Sequence, residues 1–172
     1  MLFNSIEFFV FLLVVLVVYW TIPHSGRKIL LLIASIVFYL SWSFEFLLHF
    51  AAVVAINYPI FVRIYRTRRP GWLVFAIILN LINLFFFKYF YFFMETVGAL
   101  SGDAATLAIA RRETDWFPDI ILPLAISFYT FQIIAMQVDA FRAELPEKPS
   151  FINFVLFICF FPQLIAGPIV RH

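Results

Sequence analysis

The 22 charged side chains of this chain, 12 basic and 10 acidic, avoid its apolar residues and collect in the connections between long apolar runs. Phe8 to Trp20 is such a run, extended upstream by Leu2, Phe3 and Ile6; Ile29 to Trp42, Phe46 to Val62 and Trp72 to Met94 follow. With 65% hydrophobic and 13% charged residues, a soluble domain of this composition would expose large apolar patches. The pattern therefore predicts an all-α polytopic membrane protein. One crossing needs roughly 20 apolar residues, so 172 residues accommodate about five transmembrane helices plus a broken or re-entrant carboxyl-terminal segment. Residues 1–172 then form a single integral membrane region. The stretch 95–117, with Gly98, Gly102 and mixed charge, is expected to be an extracytoplasmic linker in which Ala104 to Arg112 can add one short surface helix.

The breaks between runs are chemically distinct. Pro23, Ser25 and Gly26 are expected to interrupt the chain before the basic pair Arg27 and Lys28, and Ser41 to Glu45 offers a tight turn. Asn57, Tyr58 and Pro59 predict a kink in the third helix, and Arg63, Arg66, Arg68 and Arg69 form the densest charge run. That run reads as a headgroup anchor; a loop this short and this close to lipid is not a nucleic-acid site. Counting Lys and Arg by connection places the four-arginine loop in the cytoplasm and the amino terminus outside an inner membrane. Cys159, the single cysteine, sits in an apolar run and reads as packing. Asn80 and Asn83 read as interhelical hydrogen-bond glue rather than ligands, and Lys88 as a side chain lifting its ammonium towards the headgroups.

The last third carries most of the hydrophilic groups at membrane depth. Gln132 and Asp139, seven residues apart, share one face of a helix drawn through Leu124 to Arg142, with Arg142 three residues further on. An Asp139–Arg142 pair could neutralise both charges at the rim, which is equally the reading of a plain interfacial salt bridge. Ser127, Thr130 and Gln137 form a second polar seam on the opposite side. Only about eleven residues separate Phe151 from Pro162, too few for an unbroken crossing, and Gln163, Gly167 and Pro168 lie beyond. Amides, a carboxylate and a Gly-Pro break are expensive in hydrocarbon unless they face partners or water, so Gln132, Asp139, Arg142, Gln163, Gly167 and Pro168 are the candidates for lining an internal polar site, which the family resemblance below implies is a substrate tunnel.

Three elements carry a family resemblance. Residues 121–132 read Ile-Leu-Pro-Leu-Ala-Ile-Ser-Phe-Tyr-Thr-Phe-Gln, residues 138–142 Val-Asp-Ala-Phe-Arg, and Phe160 to Arg171 holds Phe-Phe-Pro-Gln-Leu-Ile-Ala-Gly-Pro-Ile. Together they resemble the membrane-bound O-acyltransferase family, in particular its bacterial alginate O-acetyltransferase and D-alanyl transfer branch, as does Phe87-Lys88-Tyr89. Met136 and Ala143 depart from the pattern locally.

The resemblance implies acyl transfer, of acetyl above all, onto hydroxyls of an exported polysaccharide or envelope polymer. It implies no bound cofactor. Instead it implies an acyl donor as co-substrate, delivered free or by an acyl-carrier partner, and periplasmic or membrane partner proteins besides membrane lipid. It also implies that the catalytic histidine lies in a later helix; His24, His49 and His172 are in the wrong context. No catalytic residue is therefore expected within these residues, no metal-ligand spacing is present, and the 172 residues alone are expected to be inactive. The competing expectation is a non-catalytic membrane scaffold or transport subunit that keeps the tunnel without the histidine.

Overall fold

The computed structural model describes residues 5–110 and 125–163, and among these every regular element is helical. Helix α1 (Ile6–Thr21) starts where the Ser5 hydroxyl accepts from the Phe8 amide at 3.3 Å. Helix α2 runs His24–Leu40 and α3 Phe44–Thr67, the latter capped by Ser43, whose hydroxyl accepts from the Glu45 amide. Arg68, in the left-handed region at φ 48°, and Arg69 form the whole connection to α4 (Pro70–Lys88), with Pro70 at the first helical position. Helices α5 (Phe90–Ser101) and α6 (Ala104–Ala110) follow, then α7 (Ile126–Arg142) and α8 (Phe151–Cys159).

Two described helices, α3 and α4, are long and apolar enough to cross a membrane; α1, with 16 residues, is a shorter apolar helix. The count of five spans is not reached among the described residues because α1, α2 and α7 have 16, 17 and 17 residues and α8 has 9. The expected fourth span ends at Lys88, where Tyr89 leaves helical register at φ −116° and ψ −5°, and the remainder becomes α5. The basic pair also moves: α2 begins before Arg27 and Lys28, so Pro23 starts the helix as its N-cap and Ser25 and Gly26 lie inside it. Much of the expected linker is helical, because α5 continues to Ser101 and α6 follows Asp103. A Cβ on Gly98 would lie 2.8 Å from Leu107 Cγ, so glycine is what lets α5 and α6 pack this closely. Pro123 lies outside the described residues.

The main core is where α3, α4, α7 and α8 meet around Phe61, Ile64, Ile133 and Phe154. A smaller cluster joins α1 to α2 through Val15, Ala34, Phe38 and Phe161. Tyr39 stacks on Phe50 at 4.9 Å, and Phe50 meets Tyr129 edge-on at 5.4 Å, which ties α2, α3 and α7 together by aromatic contacts.

Candidate functional site

Helix α7 is the polar axis of the molecule. Nine of its 17 residues are buried, and they include Thr130, Gln132, Gln137 and Asp139 from both seams. Neither seam faces outward because α3 and α4 cover one side and α8 packs on another.

The second seam is used for structure. Asn57 Oδ1 on α3 accepts from Asn80 Nδ2 on α4 at 2.7 Å and from Gln137 Nε2 on α7 at 2.9 Å. The same amides also donate along their own helices, Asn57 to Val53 O at 2.9 Å and Asn80 to Ala76 O at 2.8 Å. One carbonyl oxygen thus fixes the register of three helices. Such a bond inside a bilayer is worth about 0.6 to 2 kcal/mol. Asn80 is the glue its sequence context suggests; Asn57 and Gln137, 80 residues apart, are the members that local sequence could not pair.

The first seam behaves differently. Gln132 is fully buried, and neither its Nε2 nor its Oε1 has a hydrogen-bond partner among the described residues. Thr130 Oγ1 is also buried with no hydrogen-bond partner among the described residues. An unsatisfied buried amide or hydroxyl costs about 1–3 kcal/mol, so Gln132 and Thr130 concentrate that cost in one helix of the described residues.

Asp139 is buried at 4% exposure, one turn before the helix end, while its backbone carbonyl accepts from the Glu144 amide at 3.0 Å. Arg142, by contrast, is exposed. Its guanidinium lies 3.9 Å from the Glu144 carboxylate, a surface pair of small energetic weight. Helix α7 closes on Ala143 in the left-handed region at φ 64°.

Gln163 is half-buried beyond the end of α8, where its backbone N–H donates to Phe160 O at 3.0 Å and its side-chain Nε2 has no partner among the described residues. It lines a cleft with Lys28 and Lys148, and no described contact joins it to Gln132. The helical run stops at Cys159, and the Phe161 amide freed by that break donates at 3.3 Å to Ser35 Oγ on α2. Broken backbone at this depth is thereby satisfied by a neighbouring helix. Gly167 and Pro168 lie outside the described residues.

At the other end of α4, Lys88 is exposed, donates to Ser127 Oγ at 3.2 Å and lies 5.4 Å from the Tyr89 ring. Its charge complements the carbonyl end of α4, and its reach across to the first turn of α7 fixes where that helix starts. The pair was hidden from the sequence by a separation of 39 residues.

Comparison with known proteins gives consistent relatives. The chain is 38% identical over 177 residues to the probable alginate O-acetylase of Pseudomonas aeruginosa, covering 99% of this chain and 33% of that protein. It is 37% identical over 177 residues to the corresponding protein of Azotobacter vinelandii, covering 99% of this chain and 34% of the relative. A peptidoglycan O-acetyltransferase of Helicobacter pylori is 31% identical over 174 residues, covering 84% of this chain and 31% of the relative. The chain thus spans about one third of the length of these relatives. No family model and no solved structure matches it.

Proposed function

We propose that this chain, which on those likenesses belongs to the membrane-bound O-acyltransferase family, builds the tunnel wall of an enzyme that moves an acetyl group onto hydroxyls of an exported polysaccharide or envelope polymer. Alginate and peptidoglycan are the acceptors named for its relatives, and both present sugar hydroxyls. In the reaction an acceptor hydroxyl oxygen attacks the carbonyl carbon of the activated acetyl donor. Its proton passes to a general base, and the donor's leaving group departs. The base is contributed from outside the residues described here. The part assigned to this chain is positioning, by holding a polar passage between apolar helices so that donor and acceptor meet from opposite faces. In this reading α1, α2 and α7 complete the crossings begun by α3 and α4, and the four-arginine connection faces the cytoplasm of the inner membrane.

The observation that carries the proposal is Gln132, a buried amide in the middle of a helix whose two polar atoms have no partner among the described residues. A side chain kept for packing would be apolar there, and one kept for helix association would have a partner, as Asn57 does. A polar wall facing substrate or water accounts for it.

The test is a graft of this chain in place of the matching third of the Pseudomonas aeruginosa relative, assayed in membrane vesicles with acetyl donor and acceptor polysaccharide. The graft is expected to transfer acetyl groups. Gln132→Leu is expected to lower turnover between about tenfold and about a hundredfold while leaving membrane insertion unchanged. A cysteine at 132 should react with small hydrophilic thiol reagents. Full turnover in the Gln132→Leu graft, or complete protection of the cysteine, would remove Gln132 from any passage.

A further inference from the structure

Arg27 and Lys28 sit at the wrong end of a helix. They occupy the start of α2, where unsatisfied N–H groups make the positive pole; no acid stands in its first turn, and the N-cap Pro23 supplies no side-chain bond. Among the described residues Lys28 donates to the amide oxygen of Asn153, at 3.3 Å. The Arg27 guanidinium is held 4.8 Å above the Tyr19 ring and 5.5 Å from that of Trp20, and its Nε is buried without a partner.

These cations border a cavity. A cleft of about 620 Å³ lies between the start of α2, the connection Leu145–Pro149 and α8. Lys28, Lys148 and Asn153 stand at its mouth, and Leu31, Phe157 and Phe160 form its floor. Glu147 also lines it, but no ion pair joins Glu147 to either lysine among the described residues. Leu31 and Phe160 are shared with a second, almost wholly apolar cleft of about 290 Å³ between α1 and α2, roofed by Tyr19 and Trp20. The two clefts therefore share a wall: the first is basic at its mouth and the second is greasy throughout.

We propose that this double cleft binds one anionic phospholipid, its phosphate between Lys28 and Lys148 and an acyl chain over Leu31 and Phe160 into the space beneath Tyr19 and Trp20. The charge complementarity selects an anion, and the apolar floor selects an amphiphile rather than a free ion. Aromatic rings beside an arginine at the helix end match the headgroup level of a bilayer, where such a lipid already lies. A phosphate there also relieves the clash of Lys28 with the positive pole of α2. The inference rests on the membrane reading alone and not on acyl transfer, so it can fail or stand without touching the tunnel.

The experiment is native mass spectrometry of the detergent-purified chain mixed with phosphatidylglycerol or phosphatidylcholine of the same acyl length. The expected result is preferential retention of one phosphatidylglycerol, lowered about tenfold in Lys28→Gln/Lys148→Gln and lowered clearly less in the charge-matched variant Arg66→Gln/Arg69→Gln, whose loop meets headgroups without a cleft to hold one. Equal retention by both variants and the parent would overturn the site, as would equal loss in both variants or equal retention of the two lipids. Leu31→Trp, which fills the floor without altering charge, should also displace the lipid; unchanged retention there overturns the apolar half. Displacement of the lipid by inorganic phosphate or acetyl phosphate would assign the cations to a soluble phosphate donor instead, and would likewise overturn the proposal.

Discussion

Helices α1 and α7 have nearly the same length, 16 and 17 residues, and opposite characters. Helix α1 is almost wholly apolar and buries only Val15; Leu13, Leu16 and Val17 are all more than half exposed. Helix α7 carries two glutamines, an aspartate, a threonine and a serine, and buries nine residues. In water the assignments would be reversed. With lipid as the outer solvent there is no penalty for exposing leucine, and little hydrophobic gain in burying it, so polar contacts and close packing decide which helix goes inside. The interior of this protein is located by its amides.

The most direct way to break that comparison is to exchange one leucine and one asparagine in opposite directions. Asn57→Leu removes the oxygen that accepts from both Asn80 and Gln137, leaving two buried amides short of a partner. We expect it to lower resistance to denaturant by about 2–4 kcal/mol, measured by helix content of the reconstituted chain, since each stranded donor costs about 1–3 kcal/mol and Asn80 retains its bond to Ala76 O. Leu13→Asn places an unpartnered amide on the face of α1 that is 65% exposed. In lipid this is expected to cost about 2 kcal/mol or more, seen as poorer membrane insertion. If Leu13→Asn were neutral, that face of α1 would not meet hydrocarbon and the inside-out reading would fail.

A sharper version concerns sign. Both Asn57 and Gln132 are buried amides, but among the described residues only Asn57 is bonded. Gln132→Leu is therefore expected to leave denaturant resistance unchanged or raise it by about 1 kcal/mol, because it removes two unsatisfied atoms from a buried position. A loss comparable with that of Asn57→Leu would make Gln132 a structural residue with partners outside the described segments. Stability gained with turnover lost is the pattern that separates the two seams of α7.

How much of this was readable in advance follows from where the causes lie. The α3–α4 hairpin was legible because its signal is local, an arginine run between two apolar runs; the reversal at Arg68 and Arg69 and the start at Pro70 are what the structure adds. The start of α2 is not legible locally, because Pro23, Ser25 and Gly26 have the composition of a breaker. A proline at the N-cap equally opens a helix, and Arg27 holds its place by stacking on Tyr19 and Trp20 of the preceding helix. The break at Tyr89 carries no signal, for Phe85 to Phe93 contains neither glycine nor proline. The contacts around it are tertiary, through Lys88 to Ser127. Among the candidate residues, the burial of Gln132 and Asp139 follows from their shared face. Gln163 fell in with Lys28 and Lys148 rather than with Gln132, because the end of α8 is positioned by Ser35 of α2, which local pattern cannot reveal.

The smallest expected effect lies in the polar turn between α5 and α6, around Asp103. Asp103 caps α6: its carboxylate accepts from the Ala105 and Thr106 amides, each at 3.2 Å, and from the Thr106 hydroxyl. The Thr106 hydroxyl first, and then the two backbone N–H groups, hold its pKa below the usual carboxylate value. A lowered folded-state pKa means the cap contributes fully above the unfolded value of about 3.9 and is lost as pH falls through the folded one. Amide exchange at Ala105 and Thr106 should therefore deviate from the intrinsic pH trend only in acid. Asp103→Asn, which still caps but does not titrate there, should abolish the deviation. Because the carboxylate is fully exposed the response will be slight, and it should leave α1 and α7 untouched. An acid transition that also loosened α7 would tie this cap to the buried polar seam and erase the contrast between wet and lipid-facing regions on which the inside-out reading depends.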